Sequence, residues 1–256
     1  MSEEKKTSQL ARELKVVSGE LDKSAEQGVG TWREIRQMSE VGAFEEVELD
    51  ELRIIYPNMH DKRMLNEFRE LRTKLMQRAG SENFVVMVSS VTDAGGASYV
   101  SRNLAAAIAL DYGKTAVLVD CNLSNPSVDR LLPLPAEAGL TDFLEDRSLQ
   151  LDNIIYASGV PRMRVVPAGN MRSASSEYFS TDRMRQFVSA IKQRYNDRFV
   201  VIDGPPVGSS PDATILSEIC DFALLVVPYG RVTMSQVNAG VDAINPDKLV
   251  GVVFNN

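Results

Sequence analysis

The chain has 256 residues, 44% hydrophobic and 25% charged, enough for one large α/β domain with a buried core plus an appendage. A net charge of −7 argues against a nucleic-acid surface, which needs clustered Lys and Arg, and one His with two Cys is too few for a Cys/His metal centre. No apolar run approaches the roughly 20 residues that span a bilayer, and the start MSEEKK lacks a signal-peptide apolar segment, so the expected location is cytoplasmic, with any membrane connection made through a partner.

Residues 1–58 are rich in charge, Gly and Ser, with an acidic patch at Glu45, Glu46, Glu48, Asp50 and Glu51. Leu10, Leu14, Val17 and Leu21 recur at helical spacing. The segment reads as a flexible N-terminal arm: either a solvated tail, or a partner-docking helix with Trp32 as its anchor. Residues 52–56 look extended up to Pro57, and 59–256 form the main domain. A leading segment, 59–80, holds a helix over 61–78 with the stripe Leu65, Phe68, Leu71 and Leu75, its polar side carrying Arg69, Arg72 and Lys74.

From residue 83 onward strands and helices alternate. Strands are expected at 84–89, 115–120, 164–166, 199–203, 222–227 and 249–254, and helices at 98–112, 181–195, 212–220 and 233–244. The runs AVLVD, FVVID and FALLVV are continuously apolar, the pattern of strands covered on both faces. The fold class is therefore α/β: a doubly wound, mostly parallel sheet flanked by helices. Cys121 and Cys220 lie in or beside such runs and read as buried thiols rather than a disulfide.

Ligands on such a sheet sit beyond the carboxyl ends of the strands. There Ser89 and Ser90 lead into Asp93, Ala94, Gly95, Gly96, Ala97 and Ser98 before a helix begins. This is the grammar of a phosphate-cradling loop. Two further strands end in Asp120 and Asp203, where carboxylates hold Mg²⁺ or its water shell against a nucleotide; singly, each is also a plausible turn cap. A working loop puts Lys before its Ser or Thr, and this chain has no Lys between Lys74 and Lys114.

From about Met64 to Asn255 the chain resembles the cytoplasmic domain of bacterial tyrosine kinases (BY-kinases), relatives of the MinD/ParA group of P-loop NTPases. The family's ExxRxxRT helix, an oligomer contact, matches Asn66 to Thr73 with both arginines, Arg69 and Arg72, in place. Its loop SSxxPGEGKS matches Ser89 to Ser98 without a gap, with Ala97 at the Lys position. Its DxDxRRPS matches Asp120 to Ser127, with Asn122 for the second acid and Ser124-Asn125 for the arginine pair. IDTPPV is Ile202-Asp203-Gly204-Pro205-Pro206-Val207, and GLTDFL (139–144), VPAG (166–169), Gly230-Arg231 and GVVFN (251–255) also match.

The resemblance implies a nucleotide site of Gly95, Gly96, Ala97, Ser98, Asp120 and Asp203 for ATP or ADP, with Mg²⁺ at Ser98, Asp120 and Asp203. It implies a homo-oligomer through Arg69 and Arg72, and work in exopolysaccharide or capsule assembly beside a Wzz-type membrane co-polymerase or a kinase paralogue. The departures weaken catalysis. Ala97 supplies no charge, Asn122 is no base, Asp120 and Asp203 are the residual catalytic candidates, and the last tyrosine is Tyr229 where the family ends in a tyrosine cluster. The expectation is a pseudokinase adaptor; an active ATPase or tyrosine kinase using Arg102 or an inter-subunit arginine is the alternative, and a MinD/ParA-like positioning ATPase the second.

Overall fold

The computed structural model describes residues 42–170, 175–194, 197–208 and 211–256. The candidate docking residues Leu10, Leu14, Val17, Leu21 and Trp32 lie outside them. In chain order the elements are α1 Glu46–Glu51, α2 Lys62–Ala79, β1 Val85–Ser90, α3 Ala97–Ala109, β2 Thr115–Asp120 and α4 Leu140–Glu145. There follow β3 Tyr156–Ala157, β4 Met163–Val166, α5 Ser175–Phe179, α6 Asp182–Gln193, β5 Arg198–Asp203, α7 Asp212–Glu218, β6 Phe222–Pro228, α8 Met234–Asp242 and β7 Leu249–Asn255. Every long element expected from periodicity is present, with ends within a few residues. The short α1, α4, α5 and the two-residue β3 are too brief to carry a readable period.

The sheet order is β3-β4-β2-β5-β1-β6-β7. All pairs are parallel except β3 with β4. Strands β1, β2 and β5 are buried along their whole length, which is why their sequences are continuously apolar. Alternate residues of β1 serve two separate cores, since successive side chains point to opposite faces. Val86 and Val88 join Phe68, Leu104, Ile108 and Leu118 under α2 and α3, while Val85 and Met87 join Val119, Met184, Phe187 and Leu216 on the other face. Both cysteines are free and buried, as expected. No helix among the described residues is long and apolar enough to cross a membrane.

The expected arm, 1–58, needs a correction at its C-terminal part. Its acidic patch forms α1, closed by the Glu48 carboxylate accepting from the Glu45 N–H at 2.9 Å. Leu49, Ile54, Ile55, Tyr56 and Met59 are then buried in the α2–α3 core. The buried Asn103 of α3 holds this segment: its amide donates to the Arg53 carbonyl at 2.9 Å and its oxygen accepts from the Ile55 N–H at 2.8 Å. The Phe44 N–H donates to the Gly159 carbonyl at 2.8 Å. The main domain therefore starts near residue 44. The acidic composition hid this, because only the apolar minority of the segment turns inward.

Helix α3 begins at the phosphate-loop candidate and is fixed at its far end by two guanidinium groups. Arg72 Nη1 donates to the Ala107 carbonyl at 3.0 Å and Arg162 Nε to the Ala109 carbonyl at 2.7 Å. Such cations satisfy last-turn carbonyls and complement the negative end of the helix dipole. Phe68 of α2 meets Tyr99 of α3 edge to face at 5.8 Å. The leading helix thus packs along the helix that presents the site.

Candidate nucleotide site

The site lies at the carboxyl ends of β1, β5 and β2, adjacent in the sheet. Asp203 is register partner to both Val88 and Asp120, so the loop and both acids converge. The Ile202–Val207 segment is bolted to the end of β1: Ser89 Oγ donates to the Pro205 carbonyl at 2.5 Å and the Val207 N–H to the Ser90 carbonyl at 2.9 Å.

Ser90 Oγ donates to the Thr92 carbonyl at 2.8 Å, as does the Gly95 N–H at 3.2 Å, closing the loop into a tight turn. A Cβ at Gly95 would fall 2.7 Å from the Ser90 Cβ, so only glycine fits. Gly96, at φ 96°, is the N-cap of α3, and no side chain caps that helix. The first-turn N–H groups of a helix begun this way are donors for an anion. Ala94, which matches the family pattern's first loop glycine, adopts φ 54°, a left-handed conformation that costs about 1–2 kcal/mol for a residue with a Cβ. The loop keeps a glycine backbone where it has lost the glycine. Asn255, at the end of β7, donates to the Gly95 carbonyl at 3.2 Å and braces the loop from the far side.

The two acids are held differently. Asp120 accepts from the backbone N–H groups of Asn122 at 3.1 Å, Ser127 at 2.7 Å and Val128 at 3.0 Å. Both its oxygens are thereby committed to the turn after β2, the capping role weighed in the sequence. Asp203 is fully buried; Oδ1 accepts from Ser101 Oγ at 3.1 Å, and Oδ2 has no hydrogen-bond partner among the described residues. Burial raises the carboxyl of each acid above its ordinary range. For Asp203 the neighbouring Asp120 charge adds to this, while Ser98, Ser101 and Arg102 oppose it. The free oxygen of Asp203 beside Ser98 and the uncapped helix start fit a hydrated Mg²⁺ with a phosphate chain. No group of three His, Cys, Asp or Glu among the described residues could hold a metal unaided, so phosphate and water would complete the shell.

The Lys position is occupied by Ala97, only 6% exposed, a methyl facing protein. Asn122 is buried at 8% and contributes its backbone N–H to Asp120. Arg72, expected at an oligomer contact, spends its guanidinium on Ala107 at the opposite end of α3, while Arg69 makes no side-chain hydrogen bond or ion pair among the described residues. Sequence reasoning did not find Ser101, Asn103 or Asn255 as supports of the site. Ser101 and Asn103 are polar residues on the buried side of an otherwise apolar helix, and that interruption was the available signal.

Beyond the site, two of the further matched motifs, 139–144 and 166–169, meet each other. Leu140 and Thr141 donate to the carbonyls of Pro167 and Ala168 at 2.8 and 2.9 Å. Pro167 and Gly169 line a cleft of about 430 Å³ that runs from Asp129 past Pro133 and Pro135 to Asn170.

No protein-family model matches the chain. It is 29% identical over 191 residues to the tyrosine-protein kinase CpsD of Streptococcus agalactiae serotype III, a match covering 73% of this chain and 80% of that protein. Among solved structures it is similar to the kinase domain of Escherichia coli tyrosine kinase ETK, with a TM-score of 0.70 and 24% identity over 84% of this chain and 88% of that one. It is also similar to the cell division ATPase MinD of Pyrococcus furiosus, with a TM-score of 0.54 and 20% identity over 66% of this chain and 70% of that one. Sheet order, loop geometry and these likenesses agree: the chain has the MinD/ParA-related P-loop NTPase fold and is BY-kinase-like.

Proposed function

We propose that the protein serves exopolysaccharide or capsule biosynthesis and export as a pseudokinase adaptor, binding partners and nucleotide in preference to transferring phosphate. The buried Ala97 at the loop's Lys position carries this reading. Phosphoryl transfer depends on positioning and on cations that stabilise the charge developing in the transition state, and one such cation is worth about 10³ to 10⁵ in rate. A methyl group provides neither. Asn122 compounds the loss, since an amide is no base and a poorer Mg²⁺ partner than a carboxylate.

The partners in this reading are a Wzz-type membrane co-polymerase, an active kinase paralogue and further copies of the chain, with association at the membrane made through the first of these. Helix α2 is the assembly face and Arg69 its free cation, Arg72 being tied to α3. ATP or ADP with Mg²⁺ is the ligand, held by Gly95, Gly96, Ala97, Ser98 and Asp203, with Asp120 shaping the turn beneath. The test is turnover: the purified protein with Mg²⁺ and ATP should neither hydrolyse ATP nor phosphorylate tyrosine above the level of an Asp203→Ala variant. Turnover abolished by Asp203→Ala would sink the adaptor reading. An active enzyme with an atypical loop is the second reading, favoured by the half-buried Arg102 near Asp203; the positioning-ATPase reading has the lower structural similarity behind it.

A further inference from the structure

Helical side chains lean toward the N-terminus of their helix. Arg102 follows Ser98 by one turn, and its Nε donates to the Ser98 carbonyl at 3.0 Å. The guanidinium is therefore held back along α3 at the level of Ser98, within one turn of the helix start at Gly96, which no side chain caps. It is half-buried, and no carboxylate lies within ion-pair distance of it among the described residues. One of its five N–H donors is used on Ser98, leaving a planar face of donors for another ligand. One residue earlier, Ser101 points to Asp203, whose second oxygen is buried and unpartnered. A cation with spare donors, a row of backbone donors and a carboxylate with an orphaned oxygen are thus all carried by, or bonded to, the first turns of α3.

One other basic residue, the exposed Arg130, lies near enough for its charge to act on Arg102, but it stands after the β2 turn and not on α3. Arg72 is committed to Ala107 at the far end of the same helix, and no Lys occurs between Lys74 and Lys114. Burial lowers the proton affinity of Arg102; Asp203 opposes this, the Arg130 charge adds to it and Asp120 opposes it, so the guanidinium lies in the field of both acids and of a second cation.

We infer that Arg102 is the phosphate-binding cation of this site, supplying from the first turns of α3 charge for ground-state binding but not the transition-state cation that the loop has lost at Ala97, and that its ligand is the phosphate chain of a nucleoside di- or triphosphate. This deepens the nucleotide-binding half of the proposed function and rests on it. Arg102 holds the chain as a planar fork, a geometry suited to phosphate oxygens that a Lys ammonium cannot copy. It contacts the ligand directly, with its Nε anchored on the Ser98 carbonyl.

Calorimetric titration of the full chain with ATP and with ADP, each with Mg²⁺, tests the inference on wild type, Arg102→Ala, Arg102→Lys and the double variant Arg102→Ala/Ala97→Lys. The expected results are measurable binding by wild type, at least a tenfold weakening in Arg102→Ala, partial recovery in Arg102→Lys, and recovery in the double variant, where the charge returns at the loop. Recovery by either Lys-containing variant separates lost charge from lost folding. Unchanged affinity in Arg102→Ala, or no binding by wild type, overturns the inference. Absence of binding would leave the adaptor reading standing, whereas Asp203-dependent turnover would sink that reading and leave Arg102 in place.

Discussion

Replacing Asp203 by Asn should make the ligand-free protein more stable, and increasingly so as pH rises. Asp203 is fully buried, with one oxygen unpartnered. Burial first, and the Asp120 charge second, push its carboxyl from 3.8 up to about 7. The folded protein therefore keeps a proton that the unfolded chain releases near pH 4, so the stability present below pH 4 is lost as pH rises through that window. A shift of about 3 units at about 1.4 kcal/mol each is on the order of 4 kcal/mol. Asp120 is itself raised to about 6, and the two acids titrate as a pair that shares the penalty, so about 2–4 kcal/mol is the expected gain for Asp203→Asn at pH 8. An amide keeps the shape and can still accept from Ser101 without titrating. Urea denaturation of both proteins from pH 4.5 to 8 reads this out: the curves should be close at the acid end and diverge with pH. Parallel curves, or a variant that loses ground as pH rises, would refute the account of the buried acid pair.

Gly96→Ala should destabilise by about 1–3 kcal/mol in the same assay, because φ is 96° and the new Cβ would lie 2.1 Å from Asn255 Nδ2; an unchanged midpoint would contradict the loop geometry. Ile54→Ala and Ile55→Ala, each at a residue 1% exposed, should lower stability by about 2–5 kcal/mol, whereas a free arm would show no effect. Arg72→Ala should cost about 1–3 kcal/mol through the unpaired Ala107 carbonyl, while Arg69→Ala should stay within about 0.5 kcal/mol. Sedimentation of Arg69→Ala then tests assembly without a folding defect to confuse it.

The fold was legible because its signals are local and repeated. Continuous apolar runs such as Val85 to Val88 mark strands covered on both faces, and β1, β2 and β5 fall there. The loop was legible for the same reason: two glycines between a strand and a helix. What stayed hidden depends on pairings across the chain. Residues 44–58 read as solvated arm, yet Asn103, about fifty positions away, holds Arg53 and Ile55. Asp120 and Asp203 read alike as strand-end acids, yet the backbone of Asn122, Ser127 and Val128 commits one and leaves the other an open oxygen. Arg69 and Arg72 read alike as surface arginines, and packing against α3 separates them. Sequence fixes which groups exist; the sheet order decides which of them share a point in space.

The central claim is that this P-loop site has kept its frame and lost its power to transfer phosphate. Its most direct test is multiple-turnover release of inorganic phosphate from ATP and Mg²⁺ by the full chain, run beside Asp203→Ala and with a tyrosine-containing polymer as acceptor. The account predicts phosphate release and tyrosine labelling no greater than in Asp203→Ala. Turnover that Asp203→Ala abolishes would contradict it.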